Sequence, residues 1–122
     1  MRRLLNLIGL RRIWVERAFT GQLLSPSSTA RLIQILESTA TGRARLKGLL
    51  PSGTIVAHKT GTTGTVQGFN GSTNDVGVIT LPGNAGRLAI AVYIKGSSRS
   101  EAVREKVIAQ IARAAFDAYA LQ

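Results

Sequence analysis

Residues 87–95, RLAIAVYIK, constrain the fold more than any other stretch. Successive residues of a strand point to opposite faces. Here Leu88, Ile90, Val92 and Ile94 share one side, with Ala89, Ala91 and Tyr93 on the other. A strand apolar on both faces needs cover on both. The segments before it are too closely spaced for crossover helices. Pro82-Gly83-Asn84 is turn chemistry, and residues 74–81 read as another strand. Short connections of this kind dictate an antiparallel meander. A third strand begins at Thr54, where Thr54, Ile55 and Val56 are β-branched, and gives way to a Gly/Thr loop over residues 62–71. The expected architecture is α/β, of the α+β type: a three-stranded antiparallel sheet flanked by helices.

The helices have their own signals. Ser25-Pro26 is a helix start, with Ser as N-cap and Pro at the first helical position. Leu32, Ile35 and Leu36 form its apolar stripe and Gly42 its stop. Ser98 and Glu101 fit a capping box opening a final helix to about Tyr119, whose inner face is expected to be Val103, Val107, Ile111, Ala114 and Ala118. Residues 1–20 read as an Arg-rich amphipathic helix through Leu4, Ile8, Val15 and Phe19. As a signal peptide they are unconvincing: the apolar run is short, Arg11-Arg12 ends it and no A-x-A site follows. The organisation expected is therefore 1–20 as a basic helix and 21–122 as the rest of one domain.

Composition narrows the function classes. With no cysteine there is neither a disulfide framework nor a thiolate metal site, and with one histidine, His58, a His-based zinc site is not expected. No cofactor or metal is expected, and no apolar run is long enough to span a membrane. The net charge is +10, and ten of the sixteen bases lie in the first sixty residues against two of the six acids. Such a surface suits nucleic acid or an acidic membrane. Aromatics are only 5% and no base-stacking motif accompanies the charge, so a solvated cationic surface is the reading adopted and no nucleic-acid partner is expected.

The chemistry-bearing stretch is residues 54–65, TIVAHKTGTTGT. Lys59 offers an ammonium that can hold an anion and tune a hydroxyl. Thr60 offers a donor for a carboxylate, and Gly61 lets a flat group lie against the backbone. Taken alone, the tripeptide also fits an ordinary amphipathic strand ending in a Gly turn.

The ordered set LLSPSSTARLIQILESTATGRARLKGLLPSGTIVAHKTGTTG, STNDVGVITLP, LAIAVYI and VIAQIARAAFDAY resembles the C-terminal part of class A serine β-lactamases, from residue 21 to 119. The resemblance implies a partial domain of the β-lactamase and transpeptidase-like fold, with a β-lactam as substrate. It implies substrate-binding roles for Lys59, Thr60 and Gly61, an oxyanion-hole N–H at Thr62 and a carboxylate-binding arginine at Arg45, which otherwise reads as a loop cation. Because strand alternation puts Lys59 and Thr60 on opposite faces, the cleft would have to run along the strand's edge. His58, Asn74 and Asp75 read as structural. No S-x-x-K, no S-D-N and no counterpart of the family's deacylating carboxylate occurs, so no catalytic residue is assigned and whether the chain is an enzyme stays open.

These departures lead to the expectation of a family fragment inactive alone, the alternative being a small basic protein binding nucleic acid or acidic membranes. In the family the sheet's first strands come from the chain's beginning, so the strand at 87–95 is expected to have an open edge. Either residues 1–20 cover that edge, or it invites a complementing N-terminal half or self-association, or the chain is the remnant of a truncated gene. The family is periplasmic or secreted; without a convincing signal peptide, this chain is expected in the cytoplasm if expressed as it stands.

Overall fold

The computed structural model describes residues 11–120, the side chains of 11–14 excepted. The elements in order are α1 (Arg11–Phe19), α2 (Pro26–Glu37), β1 (Val56–Thr62), β2 (Thr65–Val66), β3 (Phe69–Thr80), β4 (Arg87–Ser97) and α3 (Glu101–Ala120). All strand pairs are antiparallel, as the short connections require. β3 is central. β4 runs along one side of it, from Asn70↔Ser97 to Thr80↔Arg87. β1 and β2 share the other side, from Val56↔Ile79 to Val66↔Phe69. There are thus four strands, not three. The extra one comes from residues 62–71, expected as loop: Gln67 and Gly68, at φ 50 and 76, make the two-residue turn with two positive φ values that suits hairpin twist.

The helix boundaries differ from those expected. Ser25 caps α2 as expected, its hydroxyl accepting from Ser28 N at 3.3 Å. The helix ends at Glu37 and not at Gly42. Thr39 leaves it because its hydroxyl donates to His58 O on β1 at 2.9 Å, drawing the segment to the sheet. Within α2, Ile35 is exposed, while Leu32 and Leu36 face the sheet. At α3 the capping hydroxyl is Ser100, accepting from Val103 N at 3.4 Å, not Ser98. Of the basic N-terminal helix, α1 covers residues 11–19, and Leu4 and Ile8 lie outside the described residues. No helix among the described residues is long and apolar enough to cross a membrane.

The core lies between the sheet and α3. Leu46, Val56, Ile79, Leu81, Leu88, Val92, Ile108, Ala112 and Phe116 form one cluster, each large apolar side chain contributing about 1.5–3 kcal/mol. The α3 face used here is a correction. Arg104, Ile108, Ala109, Ala112 and Phe116 are buried, whereas Val103, Val107 and Ile111 are exposed. The helix carries two adjacent apolar stripes, and periodicity favoured the one without a charge. On the sheet's opposite face α2 lies over β1 and α1 reaches β4. Between them is an apolar cleft of about 360 Å³, lined by Phe19, Leu32, Leu36 and Ala57 with Lys59 among them. Among the described residues the cover of that face is incomplete: Tyr93 of β4 stays 42% exposed.

One close packing step is readable as a test. His58 pairs with Gly77, and a Cβ on Gly77 would stand 2.7 Å from His58 Cβ and nearer still to Ala57 O. Gly77→Ala is therefore expected to cost about 1–3 kcal/mol. Gly64→Ala, whose methyl meets nothing, is expected to stay within about 0.5 kcal/mol. Urea midpoints of the two variants against the parent check this.

Candidate functional site

Two buried polar junctions set the position of β1. The first is His58 with Asp75, both fully buried. His58 Nδ1 lies 2.9 Å from each carboxylate oxygen, so for those oxygens to accept, Nδ1 carries the proton. Leu46 N donates to Asp75 Oδ2 at 3.2 Å. One carboxylate on β3 thereby ties β1 and the turn at Leu46 together. The structural roles expected for His58 and Asp75 agree with this placement. His58 Nε2 has no partner among the described residues.

Beyond this junction β1 runs out along Lys59, Thr60, Gly61 and Thr62. The ladder to β3 uses the odd-numbered residues: Thr80 N donates to Ile55 O at 3.0 Å and Thr63 N to Ser72 O at 2.9 Å. By antiparallel alternation, the N–H and C=O of residues 58, 60 and 62 point to the other edge. The carbonyls agree, His58 O accepting from Thr39 and Thr60 O from Lys59 Nζ at 2.7 Å. No strand pairs with that edge among the described residues. The Thr62 amide thus faces a free edge. Side chains alternate as well: Lys59 lines the cleft under α1 and α2, while Thr60 faces the α3 side, its hydroxyl 2.9 Å from that of Thr41. Gly42 makes this approach possible, since a Cβ there would collide with the Thr60 methyl.

The second junction is Arg45, 4% exposed, which comes in from the α3 side. Its Nε donates to Glu105 Oε1 at 3.0 Å. Nη1 donates to Gly61 O at 3.2 Å and Asn74 O at 2.9 Å, and Nη2 to Thr62 Oγ1 at 2.7 Å. Glu101 stands 3.7 Å from Nη2. Arg45, Gly61 and Thr62 are thus in direct contact. Thr60 and Lys59 adjoin them along the strand without a hydrogen bond to Arg45. The guanidinium spends its planar fork mostly on protein acceptors.

Sequence reasoning missed several participants. Glu101 and Glu105, one helical turn apart, hold Arg45. Two acids at i, i+4 in so basic a chain were a usable signal. Thr41 was invisible, because nothing local marks a hydroxyl that meets another nineteen residues on. Asn70, Thr73 and Arg104, all buried, had no motif to announce them.

Comparison with known proteins gives this geometry its context. A model of the β-lactamase enzyme family matches residues 9–119, starting twelve residues ahead of the stretch traced above by sequence resemblance. The extended-spectrum β-lactamase PER-1 of Pseudomonas aeruginosa is 50% identical over 93 residues, which are 76% of this chain and 30% of that protein. A β-lactamase structure from Chitinophaga pinensis superposes with a TM-score of 0.84 at 42% identity, covering 87% of this chain and 39% of that one. A representative class A β-lactamase from Bacteroides cellulosilyticus gives 0.86 at 31% identity, covering 91% and 40%. The chain spans about a third of the length of the curated relatives it matches. With the family model covering nearly all of the sequence and the fold superposing on class A structures, the chain belongs to the β-lactamase enzyme family, class A, and corresponds to a C-terminal portion of its domain.

Proposed function

We propose that these residues form the carboxylate-binding wall of a β-lactam site along the free edge of β1. The observation carrying the reading is that edge: the outward amide of Thr62, the hydroxyls of Thr60 and Thr62, and Lys59 beside them. A β-lactam carries a carboxylate, which Lys59 and Thr60 take, and a ring carbonyl, toward which the Thr62 N–H is one of the two donors an oxyanion hole needs. A side chain at Gly61 would run into the Asn74 amide, so glycine there lets β1 pack closely against β3.

Arg45 works one atom further back. It donates into Thr62 Oγ1, so the hydrogen of that hydroxyl must be given elsewhere, and the free edge is where an anion can accept it. The cation thereby supports a bound carboxylate through Thr62, with Glu105 fixing its orientation.

Acyl transfer needs more than this wall. A nucleophile requires an activating base, and none of the serines in residues 1–122 has a lysine three positions on. The reading assigns that chemistry to the remainder of a β-lactamase domain, joined to this chain or added to it. That remainder would also cover the unpaired edge of β4.

Two outcomes test the reading. Benzylpenicillin should shift the amide resonances of residues 59–62 with a dissociation constant on the order of 1 mM, weakened about tenfold in Lys59→Ala. The purified chain should meanwhile neither hydrolyse a chromogenic cephalosporin nor gain a penicillin adduct by mass spectrometry. An adduct, or shifts located elsewhere, would overturn it. Separately, Arg45→Met should lower stability by about 3–5 kcal/mol, because Glu105 would be left partly buried without its cation; denaturant titration reads this without any ligand.

A further inference from the structure

Arg104 is 6% exposed, yet the partners of its guanidinium among the described residues are neutral. Nε donates to Thr73 Oγ1 at 2.8 Å and Nη1 to Arg99 O. The acids on its own helix, Glu101 and Glu105, serve Arg45. Burying a cation with no carboxylate partner costs several kcal/mol. A structure that keeps one there is spending it on something.

From Arg104 the hydrogen bonds continue in one direction. Thr73, fully buried, accepts from Arg104 and donates its hydroxyl to Asn70 Oδ1 at 2.9 Å. Asn70, 1% exposed, donates through Nδ2 to Thr63 O at 2.7 Å and reaches Thr65 Oγ1 at 3.5 Å. Each link polarises the next, and the charge at the origin strengthens the whole chain. Its far end is the place where β1 leaves the ladder. Thr63 N is still bonded to β3, but Thr63 O is held by the Asn70 side chain.

Thr62 is held by Arg45, and Thr63 bonds to Ser72 through its N–H and hydroxyl; beyond them the segment has few ties of its own. Residues 62–69 are all exposed, β2 is two residues long, and Gln67 sits at a positive φ. Asn70 is the first buried residue after them, and its tie reaches back across the hairpin.

We propose that Arg104, Thr73 and Asn70 are positioning residues. They form a buried line of hydrogen bonds from the first turn of α3 to the Thr63 carbonyl, fixing the path of the chain beyond Gly61 and with it the direction of the Thr62 amide. The consequence for ligand binding rests on the reading of Thr62 given above; the mechanical part does not.

Hydrogen–deuterium exchange read by mass spectrometry separates the two. Thr73→Val keeps the shape and removes the hydroxyl, while Thr73→Ser keeps the hydroxyl. Thr73→Val should speed exchange across residues 63–71 by about tenfold, the loss of one net hydrogen bond, and leave residues 75–81 and 88–94 unchanged. Thr73→Ser should stay near the parent. Asn70→Asp, which cannot donate to Thr63 O, should reproduce Thr73→Val from the hairpin end should that variant fail to fold. Penicillin-induced shifts at residues 59–62 should weaken in Thr73→Val and Asn70→Asp and recover in Thr73→Ser. Faster exchange spread evenly over the sheet, no change in residues 63–71, or unaltered ligand shifts despite a loosened segment would each overturn the proposal. If the parent shows no ligand shifts at all, the site reading fails, and the exchange pattern still decides whether this line positions the segment.

Discussion

The buried guanidinium of Arg45 is the constraint on which the rest depends. It is the point where α3, the end of β1 and the middle of β3 meet: Glu105 from the helix, Gly61 O and Thr62 Oγ1 from one strand, Asn74 O from the other. A cation so enclosed is tolerable only with its acceptors in place, so the three elements share one geometry. Asp75 repeats the arrangement one turn of packing away, joining His58, its own strand and the Leu46 amide. Between the two junctions the strand bearing Lys59 and Thr60 has little freedom. The same side chains that stabilise the domain therefore also aim its candidate site.

Where local chemistry decides an outcome, the sequence could be read directly. The antiparallel meander followed from the turn at Pro82 and the two-faced strand at 87–95, and β4 fills that place. Ser25 caps α2 because its hydroxyl accepts from Ser28 N in the first turn, where Pro26 suits the first helical position. Where a distant partner decides, it could not. The end of α2 was set by a hydroxyl bond from Thr39 to a strand nineteen residues on. The buried stripe of α3 includes Arg104, which any apolar pattern rejects and whose guanidinium donates to Thr73 and to a backbone carbonyl. In the site, the motif Lys59-Thr60-Gly61 and Arg45 were legible as residue types. The acids and hydroxyls that orient them were not, since they come from other elements and follow no spacing.

The two edges of the sheet are left in different conditions. The outer edge of β1 is polar, with the Thr39 hydroxyl and the Lys59 ammonium bonded to its outward carbonyls at His58 and Thr60. The outer edge of β4 has no strand beside it among the described residues, and the second apolar face of that strand keeps Tyr93 exposed. Solved relatives match over about 40% of their own length. The exposed stripe of Val103, Val107 and Ile111 on α3 and the open side of β4 are surfaces an isolated domain would normally cover.

Strand alternation sets Lys59 against Thr60, one on each face. The structure resolves this without breaking the alternation. Lys59 starts on the cleft side, but its flexible stem carries the ammonium round to Thr60 O on the free edge. Thr60 starts on the α3 side and is held near that edge by Thr41 and by the absence of a side chain at Gly42. Cation and hydroxyl thus approach one line from opposite faces, and that line is where the outward backbone of Thr60 and Thr62 lies. Neither the interior of the sheet nor either of its faces would bring these three kinds of group together. Only an unpaired strand edge does, which is why pairing β1 with a further strand would remove the candidate site even with every one of its residues intact.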